Sequence, residues 1–125
     1  LVGRDVIVPG NLMDIDNGVG QGGFELTSAA DSVKVEILSA SGQVVDTLDL
    51  GAQSAGLHSF DWAAGSATND TGLRFRVTSR LGSVNTTATA LMRDSVSAVS
   101  TTGTGFSLEL SRGGSVGYTD VKAFN

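Results

Sequence analysis

Two runs in this chain alternate apolar and charged residues one for one: Val33-Lys34-Val35-Glu36-Ile37 and Leu73-Arg74-Phe75-Arg76-Val77. A period of two places successive side chains on opposite faces of an extended strand, so each run predicts a half-buried β-strand. Phe24-Glu25-Leu26, Leu57–Trp62 and Phe106–Leu110 repeat the pattern. Composition agrees, because 17 Gly, 15 Ser, 12 Thr and 14 Val in 125 residues favour many short strands joined by turns. The reading is an all-β protein.

Other classes fall away on composition. No 18-residue stretch is free of polar groups, so no helix of this chain crosses a membrane. Eight basic residues against 13 acidic ones give a net charge of −5, the wrong sign for a phosphate-binding surface, so nucleic acid is not expected as a partner. Cys is absent, which removes disulfides and thiolate metal sites. The chain opens on Leu rather than on an initiator Met or a charged-then-apolar signal, and reads as a fragment of a longer protein.

Residues 1–10 predict one strand, stopped by Pro9-Gly10. Asn11 to Gly23, polar and rich in glycine, reads as a flexible crossing between two structural units. From Phe24 to Thr89 about seven short strands follow at sandwich spacing, with Ser41-Gly42 marking a hairpin and Val45, Leu48 and Leu50 returning to the interior. On Leu57–Trp62 the parity of His58 with Phe60 and Trp62 leaves two alternatives, a His at the strand's edge or a shift of register. Strands are also expected near Leu91–Val99, Gly105–Leu110 and Ser115–Tyr118. That last segment is too short to fold alone without disulfides or metal. The strand at Val2–Val8 is the simplest helper, which makes the first domain discontinuous: 1–23 plus 89–125, with 24–88 inserted.

The chemical motifs each meet a bland reading. Gly18-Val19-Gly20-Gln21-Gly22-Gly23 matches a dinucleotide fingerprint, with Asp46 at roughly the distance of a ribose-binding acid, yet a strand follows where a helix is needed. Asp14, Asp16, Asn17, Gly18 and Glu25 have the flavour of a calcium loop in the wrong register. His58, Ser59 and Asp61 cannot form a nucleophile–base pair between adjacent residues of one strand. No catalytic residue, cofactor site or metal site is expected, and the chain reads as a non-enzyme. Arg74, Arg76 and Arg80 share one face of their strand, either as a partner-docking stripe or as the solvated outer face of a sheet. Asn69-Asp70-Thr71 and Asn85-Thr86-Thr87 fit the glycosylation acceptor pattern, which arises often by chance in turn-rich chains.

Three consecutive motifs carry a resemblance: Val33-x-Val35-x-Ile37; Gly42-x-Val44-Val45-x-x-Leu48-x-x-Gly51; and Gly56-x-x-x-Phe60-x-Trp62. In this order they resemble the Ig/fibronectin-III-like module of the flagellar hook-capping (FlgD) family, the basal-body rod modification proteins. Leu1–Val6 and Gly113–Phe124 resemble that family's opening and closing segments, so the likeness runs along essentially the whole chain. Two positions depart from it: Ala63-Ala64 follow Trp62 where Asp or Asn and then Gly are usual, and the late aromatic falls at Phe75. The resemblance implies a fibronectin-III/Ig-like sandwich inserted into a small Tudor/SH3-like β-barrel. It also implies a non-enzymatic scaffold at the distal tip of the growing hook, oligomeric there, with hook protein as partner and an export apparatus engaged by an N-terminal region absent here. A fibronectin-like adhesion or carbohydrate-binding module of an extracellular bacterial protein is the alternative.

Overall fold

The computed structural model describes residues 2–65, 72–102, 105–112 and 114–124, and these are strand almost throughout. The chain divides into two compact units, one built from Leu1–Gly10 with Leu91–Asn125 and the other from Asn11–Ala90.

The continuous unit is an Ig-like sandwich. One sheet contains β2 (Asp14–Asp16), β3 (Val19–Leu26) and β6 (Gly56–Ala63), with β3 paired antiparallel to β2 and to β6. The other runs β5-β4-β7-β8, from β5 (Val44–Gln53) and β4 (Ala30–Leu38) to β7 (Arg74–Leu81) and β8 (Val84–Thr86), again antiparallel. The alternation of β4 turns Val33, Val35 and Ile37 wholly inward, opposite Phe75 on β7. Phe24 and Leu26 of β3 and Phe60 and Trp62 of β6 complete the facing layer. Each such aliphatic or phenyl side chain contributes about 1.5–3 kcal/mol by leaving water, so a few of them dominate the unit's stability.

Residues 11–23 are not a crossing between units but part of this sandwich. The Phe75 N–H donates to the Asn11 carbonyl at 3.1 Å and the Met13 N–H to the Leu73 carbonyl at 3.0 Å, which extends the pairing ahead of β2. β2 and β3 then form a hairpin across Asn17-Gly18, with φ of 53° and 78°. Positive φ at both central residues is the demand of a tight type I′ connection, and Asn-Gly is the pair that meets it most readily. The glycines beyond the turn have a packing role. Gly20 lies opposite Trp62 and Gly22 opposite Phe60, and the rings rest on the bare backbone. A Cβ on Gly22 would come within 2.6 Å of the Phe60 ring, and one on Gly20 within 3.0 Å of the Trp62 ring. The boundary therefore falls at Gly10/Asn11 instead of 23/24. At the other end it falls at Ala90/Leu91, inside β9 (Ala88–Thr102), instead of 88/89.

The discontinuous unit is a sheet in the order β11-β10-β9-β1-β12, built from β9, β1 (Asp5–Pro9), β10 (Gly105–Leu110), β11 (Gly114–Gly117) and β12 (Ala123–Phe124). Val6 and Val8 of β1, Leu91, Met92 and Val96 of β9, and Leu108 and Leu110 of β10 are buried. The Lys122 N–H donates to the Ile7 carbonyl at 2.7 Å and brings the last residues onto β1. Tyr118, expected in a strand, lies in a 3₁₀ turn, Tyr118–Asp120. Asp94 is a buried acid of this unit, 4% exposed. Its carboxylate accepts the backbone N–H of Ser95 at 2.8 Å and of Arg112 at 3.0 Å, partners that make burial of the charge tolerable.

Candidate functional site

With Phe75 buried and Val77 half-buried beneath the sheet, the intervening positions of β7 face outward, and so Arg74, Arg76 and Arg80 form a row on the outer surface. The structure brings these three together and gives each a neighbour. Arg76 Nε donates to Glu36 Oε1 at 2.9 Å across the β4–β7 pairing. This hydrogen bond holds the Glu36 carboxyl below its usual range and raises the guanidinium of Arg76. Arg74 donates to the Asn11 side-chain oxygen and Arg80 to the Ser83 carbonyl, both at 3.2 Å. Among the described residues, Arg76 is thus paired with an acid, whereas Arg74 and Arg80 meet neutral acceptors. Lys34 and Asp49 stand opposite one another on the same face, which is therefore mixed.

The residues of β6 do not assemble a nucleophile. His58 and Ser59 point to opposite faces, and Asp61 points outward with Ser59. The β3–β6 register is unbroken from Val19↔Ala63 to Leu26↔Gly56, so of the two alternatives for His58 the register shift does not occur. Its ring stacks on Phe24 with centroids 5.1 Å apart, and its Nε2–H donates to the Ser54 carbonyl at 2.7 Å. Trp62 is buried but its indole N–H donates to Asp46 Oδ2 at 2.7 Å. That bond, followed by the Thr47 backbone N–H, holds the Asp46 carboxyl below its ordinary range. Because Asp46 is on β5 and Trp62 on β6, the bond ties together edge strands of the two sheets. Sequence reasoning weighed Asp46 only as a ribose acid. The available signal is parity, since Asp46 stands two and four residues before Leu48 and Leu50, which pack against the core.

Of the motif residues, Val33, Val35, Ile37, Phe60 and Trp62 are buried and Leu48 packs against them half-buried, while Gly42, Gly51 and Gly56 hold positive φ. Val45 contradicts its expected inward position, being 51% exposed. The register passes from Leu38↔Val44 to Ile37↔Asp46, so Val45 is the extra residue of a β-bulge, which turns it out of the core, while Asp46, opposite Ile37 and itself exposed, reaches the Trp62 indole. The Gly18–Gly23 fingerprint lies on the β2–β3 turn and along β3, which continues as strand to Leu26. Asp14, Asp16 and Glu25 are on strands of the same sheet, and among the described residues no group of three or more His, Cys, Asp or Glu is placed to hold a metal ion. Asn85 is exposed on β8, and Asn69-Asp70-Thr71 lies outside the described residues.

The model of the FlgD Ig-like domain matches residues 10–83, which coincides with the sandwich rather than with the terminal segments. The chain belongs to the FlgD family. The basal-body rod modification protein FlgD of Escherichia coli K12 is 39% identical over 70 residues, covering 50% of this chain and 30% of that protein. Its Salmonella typhimurium counterpart is 37% identical over the same coverage. The matched stretch thus spans less than a third of these curated relatives. The likeness in solved structures extends further. FlgD from Pseudomonas aeruginosa superposes with a TM-score of 0.78 at 25% identity, covering 100% of this chain and 98% of that one. FlgD from Xanthomonas campestris, described as giving insights into the hook capping essential for flagellar assembly, gives 0.67 at 25% identity over 99% of this chain and 94% of that one. The all-β architecture of FlgD, with its Ig-like sandwich, is therefore that of this chain.

Proposed function

We propose that this chain is the β-rich portion of a non-enzymatic scaffold that caps the tip of the growing bacterial flagellar hook and promotes ordered addition of hook protein subunits. The observation that carries the reading is the match of the FlgD Ig-like domain to residues 10–83, and the likeness to FlgD over the whole chain supports it. In this reading the discontinuous unit is a Tudor-like closing barrel. Several copies form the cap, and a region outside this chain engages the flagellar export apparatus before the protein reaches the hook tip.

Physical chemistry favours templating. Rigid antiparallel sheets hold rows of polar side chains at fixed spacing, so weak contacts repeat on successive identical subunits without any bond being made or broken. The Arg74/Arg76/Arg80 row is the proposed contact with hook protein. Electron microscopy of cells lacking the parent gene, with hook protein assayed in the medium, tests the scaffold role. Rods without hooks and hook protein lost to the medium are expected, whereas normal hooks would overturn it. In complemented cells, reversing the three arginines to Glu should slow hook growth; an unchanged rate would remove the row as the contact.

A further inference from the structure

The two outer faces of the sandwich differ in charge. Strands β2, β3 and β6 contain Asp14, Asp16, Glu25 and Asp61 and neither Lys nor Arg. All four acids face outward: Asp14 and Asp16 flank Ile15, which pairs with the inward Gly20, Asp61 precedes the buried Trp62, and Glu25 lies between the buried Phe24 and Leu26. On the outer face of the other sheet Lys34, Arg74, Arg76 and Arg80 stand against Glu36 and Asp49. Asp46 is turned to Trp62, and Asp31 accepts the Gly82 N–H at the end of that sheet. Among the described residues, Arg74 and Arg80 meet neutral acceptors.

We propose that the acidic β2–β3–β6 face of one copy docks on the β7 side of the opposite sheet of a second copy, head to tail. Charge selects the occupant. Like faces repel, which disfavours a two-fold symmetric pair, while unlike faces attract and leave one free face of each kind at the ends, so the contact propagates and only the end copy keeps its arginine row open to hook protein. β3 and β6, eight residues each, and the three-residue β2, about 4.8 Å apart and at about 3.3 Å per residue, offer only about 300 Å² per partner. An interface of that size belongs to the weak, transient class, so free copies associate little and copies held side by side associate well. Only this last step and the access of hook protein rest on the cap reading; the contact is tested without it.

The test uses the whole chain and two variants, Asp16→Lys with Asp61→Lys, and Arg74→Glu with Arg80→Glu, each checked for its native circular dichroism spectrum. The first carries a net charge of −5 + 4 = −1 and the second −5 − 4 = −9, so both remain negative. At about 0.02 M salt, amide shifts of the unaltered chain should depend on concentration in β2, β3, β6 and β7, with an apparent dissociation constant at least about tenfold weaker at 0.3 M. Each variant alone should lose this dependence, and an equimolar mixture should regain it on the same strands. Three outcomes would overturn the proposal: no dependence in the unaltered chain at low salt, self-association of the −1 variant at or above the unaltered level, or a mixture whose shifts map to other strands or do not return. Control by net charge predicts the second of these, which separates it from docking of the faces.

Discussion

β3 and β4 are the inner strands of facing sheets and line the same core by opposite means. β4 contributes volume: Val33, Val35 and Ile37 are fully buried. β3 contributes Phe24 and Leu26 at one end and vacated backbone at the other, where Gly20 and Gly22 admit the rings of Trp62 and Phe60. Interiors are close-packed, so the space a strand leaves is as much part of the fit as the side chains it supplies. A glycine run that looks permissive in sequence is therefore among the most restricted parts of the sandwich.

The largest effect should come from emptying the glycine groove. Phe60→Ala removes a buried ring and exposes the β3 backbone beneath it, and should cost about 3–5 kcal/mol in denaturant unfolding. Filling the groove from below should be next: Gly22→Ala drives a Cβ into the Phe60 ring and should cost about 1–3 kcal/mol. The comparison sharpens in a double-mutant cycle, because Phe60→Leu should relieve part of the Gly22→Ala cost, and strict additivity would show that the groove is not what restricts Gly22. On β4, Ile37→Val should cost about 0.5–1.5 kcal/mol, the ordinary penalty for one buried methylene.

The smallest effect concerns acid. Asp46 and Glu36 have carboxyls held below their usual range, so each binds a proton less readily folded than unfolded. Their contribution is present above the ordinary carboxylate range and is lost as pH falls through the depressed folded value. Asp46→Asn should flatten the loss of stability below about pH 4, read as a smaller difference in melting temperature between pH 6 and pH 3 than in the unaltered protein. An unchanged difference would mean that the Trp62 bond does not act on the ionised form.

Legibility followed the same division. β4 and β7 were readable residue by residue, because one buried face and one wet face impose a period of two. The motif glycines and aromatics pointed to the family and to the Ig-like sandwich. The row of arginines was readable as a face, though not its ion pair with Glu36, which depends on the β4–β7 register. Residues 11–23 were misread because glycine carries no pattern of its own, and the Asn17-Gly18 hairpin signal was hidden among neighbouring glycines. Val45 was misread because a bulge inserts one residue and reverses the parity after it.

By itself, the sequence determined the β class, the inward residues of regular strands, the absence of thiol chemistry and the family. Those follow from local periodicity and composition, which every short segment carries with it. Tertiary structure decided what the glycines are for, where Val45 and Asp46 point, and that the sandwich begins at Asn11. Each of these depends on which strand lies opposite, and that is settled only when distant segments pair and compete for one close-packed interior.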